Sequence, residues 1–305
     1  MKVILLKRIV FICLPLVCFS GCQIGLPLCD ADVDEKNSSI RQMRYHSADK
    51  LQSGQQGSFL ADYDGSIQKY IIRLPAGFKP DIEHDLMVAL HGHGSDRHQF
   101  AQDNRGECKA ARDVAGRHHM IFVSPDYRDK TSWMGPAAEA DMVQLIKQLR
   151  DQYKIRNIFI VGGSMGGTAA LTFAALHPDL VDGVCSLNGS ANLLQYSVDV
   201  ADIQNAIKNS FGGRPDETPQ EYKKRNPQEY KKRSAEYHPE KFTMPIAVTT
   251  SGQDLLLPPD SVLRLAAAVR KHNQSVLVIH RPDEGHLTSY EDTVTAIEYV
   301  IKQTN

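Results

Sequence analysis

Asn157-Ile-Phe-Ile-Val-Gly-Gly-Ser-Met-Gly-Gly167 is the stretch whose reading decides the fold. Ile158, Phe159, Ile160 and Val161 make a short apolar run rich in β-branched residues, the pattern of a strand buried on both faces. The run stops at Gly162-Gly163-Ser164-Met165-Gly166-Gly167, and Thr168 to His177 then has helical composition and spacing. Strand, glycine-flanked serine and helix in that order are the setting in which G-x-S-x-G forms a nucleophile elbow. A serine at the tip of so sharp a turn has a strained backbone, and side chains beside it would strike the strand and the helix. Gly162 and Gly166 remove those side chains. The turn lifts the Ser164 hydroxyl clear of the sheet and aims the first helical N–H groups, Met165 among them, at the place of an oxyanion. A glycine-rich turn also cradles phosphate, but the P-loop lysine and the G-x-G-x-x-G spacing are both missing here, which argues against a nucleotide.

Outward from this turn, the 305 residues suffice for one large α/β domain. Hydrophobic content of 42% and charged content of 23% are those of a globular protein. A formal net charge of -1 points to no nucleic acid and to no strongly charged partner.

The N-terminus differs in composition. Lys2, Lys7 and Arg8 precede an apolar run from Ile9 to Phe19, followed by Ser20, Gly21 and Cys22. A basic start, a short apolar core and small residues at the cut are expected of an export signal over residues 1–22. The Phe19-Ser-Gly-Cys22 ending resembles a bacterial lipobox, with Phe19 where leucine is usual. It implies lipidation at Cys22 and a periplasmic or cell-surface location, with the lipid the chain's one link to a membrane. The alternative is ordinary signal cleavage. Three of the six cysteines belong to this leader; Cys29, Cys108 and Cys185 remain without metal or disulfide spacing. Residues 23–56 are polar and aperiodic and read as a tether, leaving 57–305 as the catalytic domain.

Within that domain, Ser58–Asp62 and Gln68–Leu74 flank Asp64-Gly65, a hairpin signal. Leu86 to Leu90 and Ile121 to Val123 read as strands, with one helical stretch from Arg97 to Ala115 between them. Ala137 to Tyr153 has helical period. After the elbow helix come strands at Val181–Leu187, Ile246–Ser251 and Val276–His280, with helices at Ser261–His272 and Leu287–Gln303. Strands alternating with helices behind an opening hairpin predict a mostly parallel sheet covered by helices on both faces. Pro219-Gln-Glu-Tyr-Lys-Lys-Arg225 recurs as Pro227-Gln-Glu-Tyr-Lys-Lys-Arg233. Two copies are too few for a solenoid, and the basic segment reads as a solvated surface helix. A second reading lays it over the active site, against an anionic polymer.

Serine at neutral pH needs a base to take its proton, and the base needs a carboxylate that fixes its tautomer. After the Ile246–Ser251 strand comes Gly252-Gln-Asp254, and after the Val276–His280 strand comes Glu284-Gly285-His286. Asp254 and His286 therefore leave the same edge of the sheet as Ser164, in the chain order serine, acid, histidine. Asp260 is the fallback acid; Asp283 is too close in sequence to His286 to reach round it. The loop after Leu90, His91-Gly-His-Gly94, offers the second oxyanion donor from the His93 N–H, with Gly94 as the alternative. His91-x-His93 with Asp96 and His98 looks superficially like the H-x-H-x-D-H zinc signature of metallo-β-lactamase-fold hydrolases. The Asp and last His are displaced from that spacing, so no metal is assigned.

The elbow, the His-Gly loop, Ser251-Gly-x-Asp254 and Glu284-Gly-His286 together resemble the α/β-hydrolase superfamily. The similarity runs over about Ser58 to Lys302. Phe211-Gly-Gly-x-Pro215 and Tyr237-His-Pro239 before Met244-Pro245 resemble the prolyl-oligopeptidase-like branch, which includes secreted feruloyl and acetylxylan esterases. The resemblance implies an α/β-hydrolase fold and a serine hydrolase of carboxylic esters that works through an acyl-enzyme with no cofactor. Its substrate would be a small-molecule or polysaccharide side-chain ester. A large N-terminal propeller of the peptidase relatives has no counterpart in this reading, which points away from oligopeptides; a peptidase and a non-catalytic binding protein are the rivals. Trp133, the only tryptophan, either stacks on a sugar or aromatic acyl group or serves as packing within its loop.

Overall fold

Alternation of apolar side chains gives the central strands two buried faces, and the layers follow from it. The structure, a computed structural model, describes residues 50–197 and 201–304. The expected export signal, Cys22 and the tether up to residue 49 lie outside the described residues. Eight strands are present among those described: β1 (Gln55–Leu60), β2 (Ile67–Arg73), β3 (His84–Leu90), β4 (Ile121–Pro125), β5 (Ile155–Gly163), β6 (Gly183–Leu187), β7 (Ile246–Ser251) and β8 (Val276–Arg281). They form one sheet in the order β1-β2-β4-β3-β5-β6-β7-β8. β1 pairs with β2, and β2 with β4, in antiparallel sense, while every later pair is parallel. The expected hairpin is thus in place, with Leu60 opposite Ile67 and Gly65 at φ 75° in its turn. The sheet begins at Gln55, two residues inside the stretch read as tether, and Leu51 already bridges Pro75.

Leu86, Val88 and Leu90 of β3 and Ile158 and Ile160 of β5 face one layer, with α3 (Pro136–Gln152), α4 (Met165–Leu176) and α8 (Asp260–Val269). The intervening Met87, Ala89, Phe159 and Val161 face the other, with α2 (Gly106–Arg117) and α9 (Tyr290–Thr304). The stretch read as one helix from Arg97 is two, because Asp103 turns extended after α1 (His98–Gln102) and its carboxylate takes the Arg105 N–H at 2.9 Å. Such a side-chain bond competes with helix continuation.

The repeat lies at the surface with most of its lysines in solvent, as the sequence suggests, but it is two short helices with one face packed inward. It folds as α6 (Pro219–Arg225) and α7 (Pro227–Lys232), behind α5 (Ala201–Ser210). Pro227 has no N–H to continue α6, so the chain restarts there. Tyr222 and Tyr230, the same position in the two copies, are both buried, and Arg233 is only 1% exposed. Cation-rich composition hid two aromatic anchors.

Candidate active site

Ser164 sits between β5 and α4 at φ 58°, ψ -120°, a conformation that a residue with a side chain holds only where its surroundings over-determine it. The clamps are visible. Ser164 N–H donates to Leu187 O of β6 at 2.8 Å. A β-carbon at Gly162 would stand 2.2 Å from Gly166 O, and one at Gly166 would stand 2.1 Å from Leu90 O. The two glycines of the motif are therefore required by packing, as the sequence implies.

His286 Nε2 lies 2.8 Å from Ser164 Oγ, and His286 Nδ1 lies 2.6 Å from Asp254 Oδ2. The structure thus brings Ser164, His286 and Asp254 into one hydrogen-bonded line from three distant loops. Nδ1–H donates to the carboxylate, which leaves Nε2 as the acceptor for the serine proton. Asp254 is buried, and Leu256 and Leu257 N–H groups donate to its Oδ1 at 2.9 and 2.8 Å. Burial alone would raise its carboxyl, but the hydrogen bonds from His286 and Leu257 outweigh that and hold it below the usual range. Asp260 is exposed at the start of α8 and Asp283 is exposed on the β8–α9 loop; neither makes this contact with His286.

The loop after β3 runs beside the serine: a β-carbon on Gly92 would lie 3.7 Å from Ser164 Cβ. Gly94 N–H is committed to Lys130 O at 2.8 Å, so Gly94 drops out as the alternative oxyanion donor. His93 N–H remains, together with Met165 N–H, which as the first residue of α4 has no intrahelical partner. His91 is buried with its ring nitrogens 2.9 and 3.1 Å from Gly92 O and Asp126 O, and Asp96 pairs with His98. Within the zinc-like spacing, His91 is thus held by two backbone carbonyls and Asp96 and His98 by each other, and no cluster of three metal-ligating side chains occurs among the described residues.

Sequence reasoning missed the polar knot that holds the histidine loop. Asn188, after β6, accepts from Thr249 and from Thr288 at 3.1 and 2.7 Å and donates to Ser251 Oγ at 2.9 Å. All four are buried, and Thr288 is two residues from His286. Gln99 was also missed; its Oε1 accepts Gly92 N–H at 2.7 Å and so steadies the loop beside the serine. Neither belongs to a motif, and no spacing rule points to them.

These groups open into a cleft of 360 Å³. Ser164, His286, Gly92 and His93 line it with the apolar side chains of Phe100, Ile203, Leu256 and Leu257. Trp133 touches it too, but the indole is 99% buried and presents no open face. Leu256 and Leu287 are exposed at its mouth.

Sheet order, elbow and the positions of the three loops define an α/β-hydrolase. Residues 129–303, more than half of the chain, match the model of the prolyl oligopeptidase family of serine hydrolases, and the chain belongs to that family. No curated protein matches the sequence. Solved structures share the fold at low identity. A puromycin hydrolase is 18% identical with a TM-score of 0.65, over 86% of this chain and 40% of its own. The acylaminoacyl peptidase of Pyrococcus horikoshii is 15% identical with a TM-score of 0.61, over 88% and 42%. A ferulic acid esterase is 17% identical with a TM-score of 0.60, over 83% and 98%. The chain thus spans less than half the length of the first two.

Proposed function

We propose that this protein hydrolyses carboxylic esters through an acyl-enzyme on Ser164. The observation that carries the reading is the continuous line from Ser164 Oγ through His286 to Asp254, at 2.8 and 2.6 Å. His286 takes the serine proton as Oγ attacks the carbonyl carbon. His93 and Met165 N–H groups hold the oxyanion, and His286 returns the proton to the leaving alcohol. Water then repeats the sequence with His286 as base, while Asp254 stays ionised throughout. The apolar wall formed by Ile203, Leu256 and Leu257 suits an apolar or aromatic acyl group.

Amide cleavage is the second reading, favoured by the family to which the chain belongs. The ferulic acid esterase, matched over nearly its whole length, supports esters. Matched p-nitrophenyl esters and p-nitroanilides of one acyl group test the choice: kcat/KM is expected at least about a hundredfold higher for the ester, beyond the intrinsic difference. Equal values after that correction assign a peptidase. In the same reading, residues 1–22 direct export and Cys22 carries a lipid, which places the cleft against extracellular material such as polysaccharide side-chain esters. Radiolabelled palmitate incorporation lost in Cys22→Ser tests the anchor.

A further inference from the structure

Trp133 and Arg233 are the two bulkiest fully buried side chains among the described residues, and both bear on the active-site loops. Trp133 and Met134 are consecutive left-handed residues, at φ 42° and 53°, on the β4–α3 loop. Residues with side chains hold such a conformation only where their surroundings over-determine it, so the loop needs outside support. Arg233 supplies it. Its Nη1 donates to Met134 O at 2.6 Å, while Nη2 reaches Glu139 and Nε reaches Glu229 at 2.7 and 2.6 Å. Arg233 ends the second copy of the repeat. Its counterpart in the first copy, Arg225, is half-exposed and pairs with the buried carboxylate of Glu217. The duplicated motif has therefore split into an outer and an inner arginine.

The indole so fixed lies between the two loops that serve Ser164. Its Nε1–H donates to His93 Nδ1 at 3.1 Å. Indole N–H is a donor only, which sets His93 as the tautomer with its proton on Nε2. Burial pulls the His93 imidazole below the ordinary range and keeps the Nδ1 lone pair free. On the other side the ring packs 6.3 Å from Tyr196, whose hydroxyl donates to Leu256 O at 2.9 Å, beside the N–H groups that hold Asp254.

We propose that Trp133 is a positioning residue: anchored from behind by Arg233, its indole N–H orients His93 and thereby the backbone N–H that binds the oxyanion. This rests on the serine-hydrolase reading of the cleft and replaces the stacking alternative read from the sequence. Trp133→Phe keeps an aromatic side chain, smaller by the pyrrole half of the indole, and removes the donor. On enzyme counted by active-site titration, kcat is expected to fall about 10- to 100-fold with KM nearly unchanged, by the same factor for acetyl and aromatic acyl esters. His93→Leu shows the same loss, the double variant loses no more than either single, and His93→Asn, whose Oδ1 accepts the indole N–H, regains most of it. A Trp133→Phe enzyme with kcat within about twofold of wild type, or with its loss in KM and growing with acyl size, overturns the proposal. Should Trp133→Phe not fold, Arg233→Lys serves: lower kcat at constant KM supports the account, and unchanged kcat ends it. Absence of fluorophosphonate labelling in the wild type would instead remove the hydrolase reading itself.

Discussion

Gly166 stands so close to Leu90 that a β-carbon on it would lie 2.1 Å from the Leu90 carbonyl oxygen. This contact locks the first turn of α4 against the end of β3. The Gly92–His93 loop leaves from that same strand end, so the two halves of the proposed oxyanion site share one joint. Gly166→Ala is expected to cost about 3 kcal/mol, since backbone rather than a flexible side chain must give way. Urea unfolding measures the cost, and fluorophosphonate labelling of the folded fraction should slow as well. A variant with wild-type stability and labelling would show that the joint is looser than the geometry says.

Asp254 meets His286 at 2.6 Å while two backbone N–H groups hold its other oxygen. Asp254→Asn keeps the shape but offers an N–H to Nδ1 and so favours the wrong tautomer. A loss of about 10⁴ in kcat with modest change in KM is expected. Initial rates on a p-nitrophenyl ester check it; a loss below tenfold would mean another group orients the imidazole.

Much of this was legible in the sequence, because the decisive residues sit at strand ends. The apolar runs of β3, β5 and β7 and the glycines of the elbow carry local signals, and they fix where Ser164, Asp254 and His286 leave the sheet. The rest depends on contacts between segments far apart in the chain. Asn188 is an ordinary polar residue until Thr249 and Thr288 fold against it. Tyr222, Tyr230 and Arg233 look solvated by composition, yet tertiary packing buries them. Trp133 reads as stacking or as packing with little to choose between them, because nothing local announces the buried Arg233 behind it.

The Arg233 anchor also makes a pH prediction. Burial would raise the Glu139 carboxyl, but hydrogen bonds from His177 and Arg233, with Lys232 nearby, bring it down to about 2. A carboxyl depressed in the folded state contributes stability that is present above its unfolded value. That contribution is lost as pH falls from about 4.5 towards 2. Wild type should therefore lose more stability than Glu139→Gln between pH 5 and pH 3, by about 1 kcal/mol after allowing for solvent screening. Urea midpoints at the two pH values decide; parallel losses would assign Glu139 no such role.

The lysines of the repeat should not behave alike. Lys223 Nζ donates to Tyr196 O at 2.8 Å and lies over the Tyr230 ring, whereas Lys224 is exposed. Lys223→Ala is expected to lower Tm by a few degrees and Lys224→Ala by about one degree or less. Thermal melts compare them, and equal shifts would contradict a stabilising role for the Lys223 contacts.

Mapping a fluorophosphonate adduct tests the central claim most directly, because the probe reports a serine activated by its neighbours. The account predicts one adduct, on Ser164, that disappears in Ser164→Ala and forms at least about a thousandfold more slowly in His286→Ala. Labelling that persists in Ser164→Ala, or that maps to another residue, would contradict it.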